Sequence, residues 1–221
     1  MTSAQRLALE NLWDVYGVER TNHALNLDAL FGRYAPRTME IGCGAGEVLL
    51  AMAKRYPEND YLGVDVYRAG IGRVLRQLQA QALTNVRLIY DDVVTVLRHQ
   101  IGDWALDSVY ILFPDPWPKK RHHKRRLIQP DFVELLQKKL KSHGRLFIAT
   151  DWEDYAEHIR EVVDRHPGFV TLAGNGGYAP RPRWRPVSRY ERRAMDLGHR
   201  IQEFAYALRS GRAKQHRCDI R

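Results

Sequence analysis

Short apolar runs alternate along this chain with longer segments whose apolar residues recur every three or four positions. After an N-terminal helical region, in which Leu7, Leu12, Trp13 and Tyr16 share a stripe, Thr38 to Ile41 reads as a strand. Residues 47 to 55 carry Val48, Leu49, Ala51 and Met52 at helical spacing, and Tyr61 to Val64 is extended again. A helix over residues 69 to 83 turns Ile71, Val74, Leu75 and Leu78 inward. Val86 to Tyr90 and Ser108 to Phe113 are β-rich, with a short helix from Val93 to His99 between them. Asp131 caps the next predicted helix, which carries Phe132, Leu135, Leu136 and Leu140 and ends at Gly144 before a strand from Arg145 to Ala149. A helix over Asp151 to His166 and strands over Phe169 to Leu172 and Arg200 to Leu208 complete the series, with a Gly-, Pro- and Arg-rich functional loop from Gly174 to Pro186. Seven strands alternating with helices predict an α/β fold. The sheet is mostly parallel, covered by helices on both faces, and takes ligands at the carboxyl ends of its strands.

With 221 residues and no Ser/Gly linker, the chain reads as a single domain. Its expected parts are a helical region (1–35), a cofactor-binding core (36–173) and a C-terminal substrate-binding extension (174–221). The net charge of +9 calls for a polyanionic partner, RNA, DNA or an anionic membrane. Membrane attachment is disfavoured, because apolar runs such as Val109 to Phe113 are far too short to span and no lipidation signal is present. The opening Met-Thr-Ser-Ala-Gln-Arg has no apolar core of a signal peptide, so the cytoplasm is the expected compartment. Cys43 and Cys218 have no metal or disulfide spacing; each is a free thiol, with Cys43 the better candidate for a small buried filler.

The first strand runs into Glu40-Ile41-Gly42-Cys43-Gly44-Ala45-Gly46, and the second ends at Gly63-Val64-Asp65. Gly42 and Gly44 let the backbone turn sharply against a ligand, and Asp65 can accept from both ribose hydroxyls of an adenosine. Glu47 stands where a dinucleotide fingerprint needs its third glycine. Two carboxylates, Glu40 and Glu47, repel a pyrophosphate but suit a sulfonium and an ammonium, which favours S-adenosylmethionine over a nicotinamide cofactor. Asp92, ending the third strand, fits either a contact to the adenine amino group or a helix N-cap.

Residues 112 to 126 read Leu-Phe-Pro-Asp-Pro-Trp-Pro-Lys-Lys-Arg-His-His-Lys-Arg-Arg. Pro114, Pro116 and Pro118 fix φ and exclude a helix, so Asp115 and Trp117 are presented at small ordering cost. Trp117 can stack on a base or seal the pocket. Lys119, Lys120, Arg121, Lys124, Arg125 and Arg126 follow as a nucleic-acid handle. His122 and His123 are adjacent, so their side chains diverge, and no metal site is expected.

On these residues the chain resembles the tRNA (guanine-N7-)-methyltransferases, class I S-adenosylmethionine-dependent enzymes with a Rossmann-like fold. The similarity spans roughly residues 20 to 208. Its specific pieces are Glu-Ile-Gly-x-Gly, Gly-Val-Asp-Val-Tyr-Arg-x-Gly-Ile-Gly, the segment from Phe113 to Arg126, and Thr150-Asp151-Trp152-Glu153. The resemblance implies cofactor contacts at Glu40, Asp65, Asp92 and Asp115, the last also catalytic. It further implies tRNA or guanine contacts at Lys119, along Arg121 to Arg126, at Asp151 and within residues 188 to 191. Where the family usually reads Thr-Lys-Phe-Glu, this chain has Ser188-Arg189-Tyr190-Glu191, and Lys to Arg is not neutral at a shaped site. The longer Arg-rich arm that many members carry before the first helix is also missing.

The implied reaction is methyl transfer to N7 of a guanine in tRNA, in the variable loop, by a monomer or homodimer. The N7 lone pair carries no proton at neutral pH, so Asp115 is expected to stabilise the charge that develops on the purine rather than act as a base. Asp115, Asp151 and Glu191 are the acidic candidates for guanine N1–H and its amino group, or else cap helices and pair with arginines. Ser188 and Arg189 are expected near the guanine and cofactor, with Tyr190 mostly packing. The competing readings are a methyltransferase acting on another RNA or a small molecule, a non-catalytic RNA-binding paralogue, and an NAD(P)-dependent oxidoreductase.

Overall fold

The computed structural model describes residues 1–174 and 177–209; Cys218 and the end of the expected C-terminal extension lie outside the described residues. Helix α1 (Ser3–Tyr16) opens with a reciprocal capping box, in which Thr2 Oγ1 accepts from the Gln5 N–H and Gln5 Oε1 accepts from the Thr2 N–H. Its buried stripe is Ala8, Leu12 and Tyr16. Leu7, assigned to that stripe from sequence, is exposed, because it stands about 100° around the helix from Ala8.

A short α2 (Leu27–Phe31) leads to the alternating core: β1 (Arg37–Ile41), α3 (Glu47–Arg55), β2 (Asp60–Asp65), α4 (Arg68–Ala80), β3 (Val86–Tyr90), α5 (Val93–His99) and β4 (Leu106–Leu112). A 3₁₀ turn over Lys120–Arg125 precedes α6 (Pro130–Lys139), β5 (Leu140–Thr150), α7 (Glu153–Asp164), β6 (Phe169–Thr171), α8 (Arg189–Asp196) and β7 (Gln202–Leu208). The seven strands form one sheet in the order β3-β2-β1-β4-β5-β7-β6. The first five of that order run parallel, while β7 is antiparallel to both β5 and β6.

Alternate residues of each strand serve opposite faces. Met39, Ile41, Leu62, Val64, Val109, Ile111, Leu146 and Ile148 pack with residues of α5, α6 and α7. Tyr61, Leu88 and Tyr110 pack on the other side with α1, α3 and α4. Glu40 is paired with Tyr110 in the β1–β4 register, so a carboxylate projects from this second face.

Three expectations change. Helix α6 starts with Pro130 at its first turn and Gln129 as cap residue, which moves Asp131 into the helix. Leu140 is already extended and begins β5; the register then jumps from Leu106–Leu140 to Ser108–Arg145, so Gly144 lies in a bulge and does not end the helix. Helix α8 was absent from the sequence reading, although Ser188-x-x-Glu191 is a capping signature. The predicted last strand, by contrast, is present as β7.

The start of α4 lies hard against the loop after β1: a Cβ on Gly70 would come within 2.4 Å of the Gly44 carbonyl oxygen. That neighbour is backbone and cannot rotate away. Gly70→Ala is therefore expected to destabilise the fold by about 1–3 kcal/mol in urea unfolding; an unchanged midpoint would mean that helix and loop separate freely.

Candidate active site

Strand order reverses between β1 and β4, and a cleft of about 470 Å³ opens at the carboxyl ends of β1, β2 and β4. Its floor is the glycine loop. Gly42, Gly44 and Gly46 have φ of 73°, 55° and 74°, a left-handed backbone that other residues reach only at a cost. Asp65 ties this loop to the next turn: Oδ2 accepts from the Gly44 N–H at 2.6 Å and Oδ1 from the Tyr67 N–H at 2.7 Å. Each oxygen keeps a second lone pair, and Asp65 lines the cleft.

Glu40 lines the same cleft from β1 and is almost wholly buried, with Oε2 lacking any hydrogen-bond partner. Burial pushes its carboxyl up to about 8, Asp65 adds to the rise, and Arg185 and the Leu49 N–H oppose it. Cys43 is buried beside it and its thiol is pushed upward, chiefly by burial. Asp92 meets both of its readings in part, since Oδ1 caps α5 by accepting from the Thr95 N–H at 3.0 Å while the residue lines the cleft. Asp91 lines it too and pairs with Arg20 at 3.3 Å; the sequence reading missed it.

Asp115 is exposed at the cleft wall and makes no hydrogen bond or ion pair among the described residues. Phe113 and Trp117, which bracket it, have φ of 53° and 45°, so the proline segment holds two residues in a costly conformation. The Arg125 guanidinium lies 5.0 Å over the Trp117 ring and His122 meets that ring edge-on at 5.9 Å. His123 faces the other way, toward Asp154 at 3.5 Å. Lys119, Arg121, Lys124 and Arg125 are exposed, as the handle requires.

Arg126 departs from that handle. It is buried, pairs with Asp154, donates from Nε to the Pro116 carbonyl at 2.9 Å and lies 4.9 Å over the Tyr155 ring. Its contacts anchor the proline segment to α7 and leave no surface for an RNA phosphate. Asp151 follows the last residue of β5, with Oδ2 3.1 Å from His199 Nδ1, and does not line the cleft.

Residues 188 to 191 begin α8. Ser188 Oγ caps it by accepting from the Glu191 N–H at 3.2 Å, and Glu47 Oε2, reaching across from α3, accepts from the Arg189 N–H at 2.5 Å. This brings Ser188, Arg189 and Tyr190 to the cleft wall. Tyr190 is half exposed there, with its hydroxyl accepting from Arg189 at 3.2 Å, so it is not mainly packing. Glu191 points the other way. Its carboxylate is buried and accepts from Arg181 at 2.5 Å and Arg185 at 2.6 Å, while Arg185 also pairs with Glu203. Both oxygens are taken up by guanidiniums, so Glu191 is withdrawn as an acceptor for a base.

A family model described as a putative methyltransferase matches residues 34–204. The tRNA (guanine-N(7)-)-methyltransferase of Leifsonia xyli subsp. xyli is 49% identical over 205 residues, covering 93% of this chain and 90% of that one. The protein of the same name from Alcanivorax borkumensis is 46% identical over 210 residues, covering 95% and 88%. Among solved structures, the 16S rRNA methyltransferase KamB matches with a TM-score of 0.57 at 10% identity, covering 88% of this chain and 98% of that one. The aminoglycoside resistance methyltransferase NpmB1 matches with a TM-score of 0.54 at 16% identity, covering 82% and 91%. The fold is the Rossmann-like fold of class I methyltransferases. Within that class, the chain belongs to the tRNA (guanine-N7-)-methyltransferase family.

The pairing of Glu191 predicts how its amide variant behaves. Glu191→Gln leaves the buried Arg185 with Glu203 as its remaining counter-charge and takes the partner from the more exposed Arg181, and a loss of about 3 kcal/mol is expected in urea unfolding. Wild-type stability would instead return the carboxylate to the cleft as a free group.

Proposed function

We propose that this enzyme transfers a methyl group from S-adenosylmethionine to N7 of a guanine in tRNA, in the cytoplasm. Supporting the reading is one juxtaposition: a glycine loop walled by carboxylates and the unpaired Asp115 meet in a single cleft beside an exposed run of cations. Family membership supplies the acceptor class. The lining suits the cofactor chemically, since Glu40 has a buried oxygen without a partner and Asp65 has lone pairs left beside the glycine loop. Glu40 and Asp65 would hold it, with Asp92 toward the adenine. When bound, it supplies an electrophilic methyl group on a sulfonium.

The remaining work falls to the chain. Guanine N7 needs no general base, so Asp115 stabilises the positive charge that spreads over the purine on methylation. Its carboxylate has no competing partner among the described residues, and the flanking prolines limit the reorganisation it must undergo. Trp117, braced by Arg125 and His122, offers a flat wall for the base. Lys119, Arg121, Lys124 and Arg125 take the RNA phosphates, while Ser188, Arg189 and Tyr190 close the cleft from the other side.

Labelled S-adenosylmethionine and unmodified tRNA transcripts, followed by cleavage selective for 7-methylguanosine, test this directly. Label should enter tRNA and cleavage should fall at a guanine; label without cleavage would point to another acceptor atom. In the same assay Asp115→Asn should slow single-turnover transfer about 10- to 100-fold with little change in tRNA affinity. An unaltered rate would remove the electrostatic role.

The handle predicts a salt effect. Neutralising Arg121, Lys124 and Arg125 together should weaken binding of every tRNA and lower the log–log salt slope by roughly two to three units. A slope equal to wild type would put the RNA on another face.

A further inference from the structure

Arg185, near the end of the loop from Gly174 to Pro186, joins both sides of the cleft. It precedes α8 by four residues and its side chain is 1% exposed. Nη1 donates to Glu191 in the first turn of α8 at 2.6 Å, and Nη2 pairs with Glu203 on β7. Its guanidinium lies 5.9 Å over Phe113, which lines the cleft two residues before Asp115. The preceding residue, Trp184, stacks on Tyr110 at 5.0 Å, and Tyr110 is the β4 partner of Glu40 in the sheet. Residues 184 and 185 thus cover the sheet face from which Glu40 projects.

The charges in this buried layer do not balance. Glu191 and Glu203 share the buried Arg185, with the more exposed Arg181 also on Glu191, while Glu40 lies near Arg185 and makes no ion pair among the described residues. One carboxylate is in excess, and two polar atoms, Glu40 Oε2 and Arg185 Nε, are buried without partners. An excess buried carboxylate must hold a proton or acquire a cation.

We propose that Arg185 is a positioning residue that couples the two halves of the site: the guanidinium that seats α8 through Glu191 also supplies the nearby positive charge that favours the carboxylate form of the cofactor-side Glu40. This rests on the methyltransferase reading above, because the cation that completes the layer is the one that reading brings to Glu40. Filling the cofactor end relieves the excess negative charge, leaving Arg185 to hold Glu191 and Glu203 and α8 seated at the acceptor end. The groups facing Glu40 are Asp65 from β2, Cys43 from the glycine loop, Tyr110 from β4 and Arg185. Among them Arg185 alone is cationic, and it opposes the rise of the Glu40 carboxyl to about 8.

The sign of the pH effect follows. Below about 8 the free protein holds Glu40 protonated, so affinity for a cationic ligand falls as pH drops, approaching tenfold per pH unit, and is full above it. Calorimetric titration of S-adenosylmethionine from pH 6 to 9.5 measures that midpoint. Arg185→Met, confirmed as folded by circular dichroism, should raise it by about one pH unit. Arg185→Lys should keep the wild-type midpoint, since the charge remains, but slow single-turnover methyl transfer to tRNA at least tenfold, since the fork that grips Glu191 and Glu203 is lost. A purely structural arginine would lower affinity evenly, with no shift of midpoint, and that result in the Met variant overturns the coupling. Should the Met variant not fold, wild-type transfer by the Lys variant, or a shifted midpoint in it, overturns it equally. Cofactor binding by the wild-type protein reports on the methyltransferase reading by itself, so the two failures remain distinct.

Discussion

The reversal of strand order between β1 and β4 is the constraint on which the site depends. Helices leave the two strands in opposite directions, so nothing covers their carboxyl ends and a crevice opens there. Every chain segment that borders the crevice must turn abruptly. After β1 the turn is made by glycines with left-handed backbone, and after β4 by a proline segment with Phe113 and Trp117 in the same region. Neither turn is self-supporting. Asp65 holds the first through backbone N–H groups of Gly44 and Tyr67, and Arg126 holds the second through the Pro116 carbonyl and Asp154.

Charge is sorted by depth around this crevice. Acidic groups stand at its floor and wall, where Glu40, Asp65, Asp91, Asp92 and Asp115 face inward, and exposed cations lie at its rim from Lys119 to Arg125. The arrangement suits a cationic ligand below and a polyanion above. Two other arginines have been diverted to the interior: Arg126 over the Tyr155 ring, and Arg185 between Glu191 and Glu203. A buried guanidinium without its carboxylates would be severely destabilising, so these residues hold loops in place rather than bind.

Much of this was legible in order along the chain. Apolar periodicity marked the strands and most helices, because each element buries one face and repeats its side chains with the period of that face. The glycine loop, the carboxylate after β2 and the proline segment were legible because they are local: the residues that make each turn lie next to one another, and few residue types can take their place. The family resemblance rested on those same stretches.

What sequence could not decide was which charged side chains turn inward. Arg126 and Arg125 are neighbours of identical chemistry, yet one is buried against Asp154 and the other is exposed over Trp117. Glu191 stands among residues that line the cleft, but two arginines from the preceding loop draw it into the core. Helix α8 follows the same pattern, for although Ser188 caps it locally, Glu47 fixes its N-terminus from 142 residues away. Local order sets the turns and the periodicity, since neighbouring residues share one backbone. Burial and pairing of charge belong to the tertiary structure, because the free energy of a carboxylate or guanidinium depends on partners that only the fold brings within reach.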